Sequence, residues 1–202
     1  MKHEYRKHEK ELYQPKTTPS IVQVPSMKFI TLKGKGNPND ASFSHKIEAL
    51  FTCAYTIKMF PRKGIIIPEY VDYTVYPLEG VWDLSLKGRQ ENTLNKDELV
   101  YTIMIRQPDF VTEDVFNLAI ASSQHKNDEI KDIKFIQTEP YMGVQMIHIG
   151  PYDTEPKSFK QMNEFCLKNN LNRKSMTHRE IYLSDFRKTD AHSLKTILRI
   201  EV

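Results

Sequence analysis

Cysteine is scarce in this chain. Cys53 and Cys166 are the two in 202 residues, and neither stands in a C-x-x-C pair. Both fall inside helical apolar patterns, where cysteine behaves as a small hydrophobe. That usage fits a reducing cytoplasm and argues against a disulfide framework. Long apolar runs are also missing. No stretch approaches the ~18 residues that span a bilayer, and the N-terminus lacks the apolar region of a secretory leader. There is little excess of either charge. Lys and Arg number 29 against 26 for Asp and Glu. The two signs are interspersed, whereas a nucleic-acid partner calls for a concentrated basic face. The densest basic stretch, residues 2–10, also holds Glu4 and Glu9; it reads as a solvated, partly frayed end. His45, His125, His178 and His192 show no mutual spacing of a metal site. No Walker loop, G-x-S-x-G or Cys-His signature is present, and Gly34-Lys35-Gly36 is too short to cradle a phosphate. The expectation is a protein with no metal, no cofactor, no nucleic-acid partner and no membrane span.

What the chain does have is tyrosine and phenylalanine, ten of each, with a single Trp. Tyrosine joins an apolar body to a polar tip, so it suits half-buried strands and pocket walls. Residues 1–20 are polar and close on Pro15 and Pro19. They read as a lead-in, with too few periodic residues for a helix-turn-helix. Residues 27–32 read as a strand, ended by the turn cluster Gly34-Lys35-Gly36-Asn37-Pro38-Asn39. Phe43, Ile47, Leu50, Phe51 and Ala54 recur at spacings of three and four, which predicts a helix over about 42–60. Pro61 and Gly64 end it. Residues 70–75 and 99–106 alternate as strands. Between them lies Pro77-Leu78-Glu79-Gly80-Val81-Trp82, read as a Gly-bearing turn. A connecting helix is expected over about 111–125.

The order then repeats. Residues 143–149 alternate and stop at Gly150-Pro151. A helix is predicted over 154–169 with Phe159, Met162 and Cys166 on one face. Strands follow at 178–184 and 195–202. Strand, turn, helix, strand, strand thus occurs twice, over half-repeats at about 25–107 and 140–202. Gly34 and Gly150 take the same place in each. Two such units are best stabilised side by side. The expectation is one α+β domain over residues 21–202. It consists of duplicated βαββ units with pseudo-two-fold symmetry, antiparallel sheets, helices on one face and a central cleft on the other. Small-molecule sites favour such clefts.

Glu180 is the first candidate for that site. It alternates with Ile181 and Leu183; if those two face the helices, Glu180 and Tyr182 face the cleft. A carboxylate in an aromatic cleft is costly to desolvate unless it has a task or a partner. Glu155 opens the second predicted helix, where it either caps the helix or serves as a second cleft carboxylate. Tyr152 follows the Gly-Pro turn. Tyr70, Tyr73, Tyr101 and Tyr182 fall on strands, and parity does not divide them between core and cleft. A phenol there can polarise or protonate a ligand oxygen. Trp82 offers a stacking surface beside Glu79, and His148 stands one residue before its strand ends.

Several blocks in the right order resemble the GyrI-like small-molecule-binding proteins. They are His148-Ile149-Gly150-Pro151-Tyr152-Asp153 with Glu155, His178-Arg179-Glu180-Ile181-Tyr182-Leu183-Ser184-Asp185, and Leu194-Lys195-Thr196-Ile197-Leu198-Arg199. The 34–39 turn, Tyr55 with Lys58, and the block 77–82 also match, so the resemblance runs from about residue 10 to the C-terminus. Phe186 departs from it, since the family commonly has Pro there. The resemblance implies a duplicated βαββ fold with a central cleft. In relatives fused to a DNA-binding domain, a cleft carboxylate receives lipophilic cations. In stand-alone relatives it implies hydrolysis of cyclopropane-containing DNA alkylators, hence detoxification. On that basis Glu180, Glu155 and Tyr152 are expected to do the chemistry. Trp82, Glu79, Tyr182, Tyr101, Tyr70, Tyr55 and His148 are expected to bind an aromatic or amphipathic small molecule. The alternative is a module that binds or senses amphipathic, often cationic, compounds without chemistry.

Overall fold

The computed structural model describes residues 2–186 and 188–202. Two short helices, α1 (Tyr5–His8) and α2 (Lys10–Tyr13), precede strands β1 (Ser20–Val24) and β2 (Met27–Lys35). Helix α3 (Ala41–Met59) and strands β3 (Leu78–Leu84) and β4 (Leu99–Gln107) complete the first βαββ unit with β2. Helix α4 (Glu113–Ser123) and strand β5 (Lys134–Thr138) lead to the second unit. That unit is β6 (Tyr141–Ile149), α5 (Glu155–Lys168), β7 (His178–Tyr182) and β8 (Lys195–Glu201). The α+β class and the duplication are as the sequence predicts.

All strand pairs are antiparallel and form one eight-stranded sheet in the order β1-β6-β8-β7-β3-β4-β2-β5. The two units join through β7 and β3, where Gly80 pairs with Glu180. Phe43, Ile47, Leu50, Cys53, Ala54 and Ile57 are the buried side of α3, as their spacing requires. Thr112 caps α4 by accepting the Val115 N–H at 3.3 Å. Met162 and Cys166 of α5 pack on Val144, Met146, Leu198 and Ile200 of β6 and β8.

The sheet is not flat. β1 lies at one end of its order and β2 near the other, yet only Pro25 and Ser26 join them. So short a link reaches about 10 Å at most, which forces the sheet to curl until its two ends approach. The Arg179 guanidinium of β7 accordingly lies over the rings of both Phe29 in β2 and Tyr141 in β6, at 5.2 and 5.8 Å. One face of the sheet turns into this curl. The other carries α3 and α5.

Several sequence expectations need correction. The N-terminal segment is not frayed: Tyr5 and Tyr13 are 5% and 2% exposed, and the segment closes the inner face. Gln145 donates to the Glu11 carbonyl at 2.6 Å and Arg199 to the Leu12 carbonyl at 2.8 Å, while Arg106 holds Glu9. Its buried residues are too few to show periodicity in so short a stretch. Residues 70–75 are not a strand; there Tyr73 makes one isolated bridge to His3. Tyr73 is buried while Val71 and Asp72 face outward. Packing on Phe110 therefore gives a loop the alternation of a strand. The third strand is β3 itself, so Glu79 and Trp82 sit on a strand and not in a turn. Lastly, the counterpart of Gly150 is Gly36, not Gly34. Both end a strand in the left-handed region, with φ of 126° and 108°. Gly34 lies inside β2, where the Tyr101 ring would come within 2.3 Å of any Cβ.

Candidate functional site

The pairing register locates the pseudo-two-fold axis. With Gly36 set against Gly150, the ladders carry the alignment inward through β4 and β8 to the central strands. Gly80 then matches Glu180, Trp82 matches Tyr182 and Glu79 matches Arg179. Gly80 and Glu180 are also cross-strand partners, so the axis passes between them. One half supplies a carboxylate at the axis and the other supplies an empty position.

That empty position has a use. Trp82 and Tyr182 lean toward each other across the axis, and the indole Nε1–H donates to the Tyr182 hydroxyl at 2.8 Å. A Cβ on Gly80 would lie 2.6 Å from Trp82 Nε1 and 3.1 Å from the Tyr182 oxygen. The Tyr182 hydroxyl in turn donates to Glu180 Oε2 at 2.8 Å. His178 Nε2 lies 3.0 Å from Glu180 Oε1 and, facing a carboxylate, donates to it. Both oxygens of Glu180, which is 8% exposed, therefore have a donor. Phe43 and Tyr101 pack beside Trp82, at ring separations of 5.7 and 5.1 Å. Tyr152 meets Tyr182 edge-on at 6.0 Å, and Phe159 meets His178 at 4.7 Å.

The parity expected for Glu180 and Tyr182 holds, but their face is the opposite one. They share the helix-bearing face with Trp82, in the gap between α3 and α5, while Ile181 points into the curl. Glu79 also points inward. Its carboxylate oxygen is 3.5 Å from Arg179 Nη1. Burial pushes its carboxyl up, opposed by the guanidiniums of Arg179, Arg199 and Arg106. Glu79 is thus separated from Trp82 by the sheet itself. Tyr70 packs on Tyr73 and Phe110, and Tyr55 on Phe51 at the exposed side of α3. Neither shares a ring contact or hydrogen bond with the cluster among the described residues.

His148 has a different task from the one expected. It is 5% exposed. Its Nε2–H points at the Pro151 carbonyl and Thr154 Oγ1, both at 3.1 Å, so Nδ1 accepts from the Ser158 hydroxyl at 2.9 Å. These bonds fix the turn that leaves β6 and enters α5. Tyr152 and Glu155 are delivered by that turn.

Glu155 is 7% exposed and its Oε1 has no hydrogen-bond partner. Burial first, then the charge of Glu180 and a hydrogen bond to it, hold the Glu155 carboxyl far above the usual carboxylate range. Of the two carboxyls, Glu155 is therefore the one pushed toward its neutral form. Tyr152 is pushed up to about 12 by burial and by the charges of Glu180 and Glu155. Tyr182 is raised further, by burial, the charge of Glu180 and its bond to it. Ligand-type atoms of Glu155, His178 and Glu180 lie within 4.8 Å of one another. Such a spacing suits a cation or a proton shared between the carboxylates. His178 does not stand out in the sequence by its spacing from the other histidines. The signal that could have found it is parity, since it lies two residues before Glu180 on the same strand face. A shallow surface depression of about 560 Å³ lies elsewhere, by Ile65, Ile67, Phe110 and Leu118, and none of the cluster reaches it.

Known proteins share this fold. Residues 17–202 match the family described as the GyrI-like small molecule binding domain. A hydrolase from Listeria innocua has the same fold at a TM-score of 0.90 and 33% identity, covering 99% of this chain and 98% of that one. An uncharacterized conserved protein from Listeria innocua matches at 0.89 and 34%, covering 98% of each. The C-terminal domain of EcmrR, at 13% identity and a TM-score of 0.51 over 91% of this chain and 96% of that one, shares the fold alone. No curated protein matches the chain. Among the described residues no helix is long and apolar enough to cross a membrane.

Proposed function

The chain belongs to the family of GyrI-like small molecule binding domains, and from that premise we propose that it ring-opens cyclopropane-containing electrophiles at Glu180, so detoxifying them. The observation that carries this reading is the convergence of Glu180, Glu155, Tyr182 and Trp82 into one cluster at the pseudo-axis. The description of a relative at 33% identity as a hydrolase supports it.

A planar aromatic substrate enters between α3 and α5 and stacks on the rings around Glu180. Glu180 holds a water molecule and takes a proton from it as the oxygen attacks the unhindered methylene of the strained ring. The carbon–carbon bond breaks, and its electron pair passes into the dienone, whose oxygen becomes a phenol. Tyr152 keeps its proton at neutral pH and donates it to that oxygen. Both groups then re-equilibrate with solvent, so one water is consumed and no proton is gained or lost. General-base assistance contributes about 10²–10⁴-fold, and ring strain with positioning supplies the rest.

One feature favours a second reading. Aromatic rings crowd the Glu180 carboxylate, an arrangement that also receives an amphipathic cation; the protein would then bind or sense such compounds without altering them. The test is incubation with a cyclopropane-bearing alkylator in oxygen-18 water, with product followed by mass spectrometry. Hydrolysis predicts labelled ring-opened product at a rate well above the protein-free blank. A rate equal to the blank overturns hydrolysis and leaves binding.

A further inference from the structure

Glu155 and Glu180 lie close enough to share a proton, and the chemistry above requires it to sit on Glu155. We infer that His178, acting with Tyr182, is the positioning residue that assigns the proton to Glu155 and so leaves Glu180 free to act as the base; the inference rests on the hydrolase reading for its consequence but not for its mechanism.

Donor count carries the argument. Glu180 receives the Tyr182 hydroxyl on one oxygen and the His178 imidazole on the other, at 2.8 and 3.0 Å. Glu155 Oε1 receives none. Hydrogen bonds donated to a carboxyl favour its charged form, whereas burial without donors favours the neutral form. Tyr182 cannot decide the matter alone, because its hydroxyl is itself held by Trp82 and reaches only one oxygen. The imidazole packs edge-on to Phe159 of α5, a contact that supports the orientation in which its Nε2 meets Glu180. Among the described residues, the charged and titratable groups around it include Tyr182, which shares the Glu180 carboxylate with it. Glu180 lies on its own strand, and Glu155 on α5. Arg173 sits over the Phe159 ring, 6.0 Å from its centroid, and donates to the Met176 and Thr177 carbonyls. Trp82, its cross-strand partner, contributes no charge.

The test uses the full chain, labelled with carbon-13 at the glutamate carboxyls, as wild type, His178→Phe and His178→Gln. Phenylalanine keeps the ring against Phe159 but donates nothing; glutamine keeps a donor. In the wild type and His178→Gln, NMR at neutral pH should show Glu180 as carboxylate and Glu155 as acid. In His178→Phe the two resonances should move toward each other as the proton is shared. Turnover of the alkylator by His178→Phe should fall about 10–100-fold at neutral pH. KM should not change, the loss should shrink as pH rises, and His178→Gln should retain activity. Wild-type resonances in His178→Phe, or an equal loss in both variants without recovery at high pH, overturn the inference. A wild type that shows no turnover sinks the hydrolase reading alone, because the resonances still decide where the proton lies.

Discussion

Glu155 and Glu180 are the same side chain in two environments, and the difference lies in the donors each can reach. Glu180 is satisfied on both oxygens, whereas Glu155 is buried with one oxygen bare. A buried acid of this kind has a signature in stability. Its folded-state pKa lies far above the unfolded value, so the folded chain holds a proton that the unfolded chain has lost. Stability therefore falls as pH rises from the ordinary carboxylate range through neutrality. Glu155→Gln keeps the neutral donor and removes this slope. The variant should gain on wild type by about 1–3 kcal/mol between pH 5 and pH 8, since each tenfold difference in proton affinity between the folded and unfolded chain is worth ~1.4 kcal/mol. Thermal melts across that range check it, and a gap that does not widen with pH contradicts the assignment of the proton. The sequence carried part of this site. Strand parity placed Glu180 with Tyr182 and against Ile181. It could not say which side was which, because the curl closes the inner face too; β7 is covered on both faces, and apolar neighbours no longer point to the helices. Glu79 was misplaced through the same ambiguity, since without the strand boundaries its separation from Trp82 could not be read.

At the scale of elements, β3 and β7 form a joint that depends on one glycine. Trp82 and Tyr182 meet over Gly80 because nothing projects from it. Gly80→Ala would place a methyl group 2.6 Å from Trp82 Nε1, so the indole must move and the bond to Tyr182 must break. The expected cost is about 1–3 kcal/mol, with weaker binding of aromatic ligands. Denaturant titration and ligand fluorescence read both effects; a variant as stable as wild type would contradict the close approach. The turn from β6 into α5 is a second such device, in which His148 ties Pro151, Thr154 and Ser158 together. The helices and most strands were legible, because α3 and α5 show clear periodicity and Gly36 and Gly150 end their strands. The loop at 70–75 was not, since Tyr73 and Tyr76 are buried from a loop that joins no ladder. β3 was hidden for the converse reason: Pro77 and Gly80 look like turn residues, and Gly80 is there for a contact made from a strand a hundred residues away.

The whole molecule is two similar units that have become unlike at their shared axis. Glycine stands where the other half has Glu180, tryptophan where it has Tyr182, and glutamate where it has Arg179. Each of these pairs meets across the axis, so the duplication yields one site, with Glu180 at its centre. The curled sheet fills its inner side with Arg106, Arg179, Arg199 and Glu79, and the N-terminal segment closes it through Glu9, Glu11 and Leu12. On the other face, Phe43 of α3 packs against Trp82 and Phe159 of α5 against His178, and the fold is shared along nearly the full length of the Listeria innocua hydrolase. The claim that Glu180 is the base is tested most directly by Glu180→Gln, with turnover and ligand affinity measured on the same preparation. The account predicts at least a ~100-fold loss of ring-opening with affinity for the alkylator within about three-fold of wild type. Retained turnover, or a loss confined to the binding of cations, would contradict it.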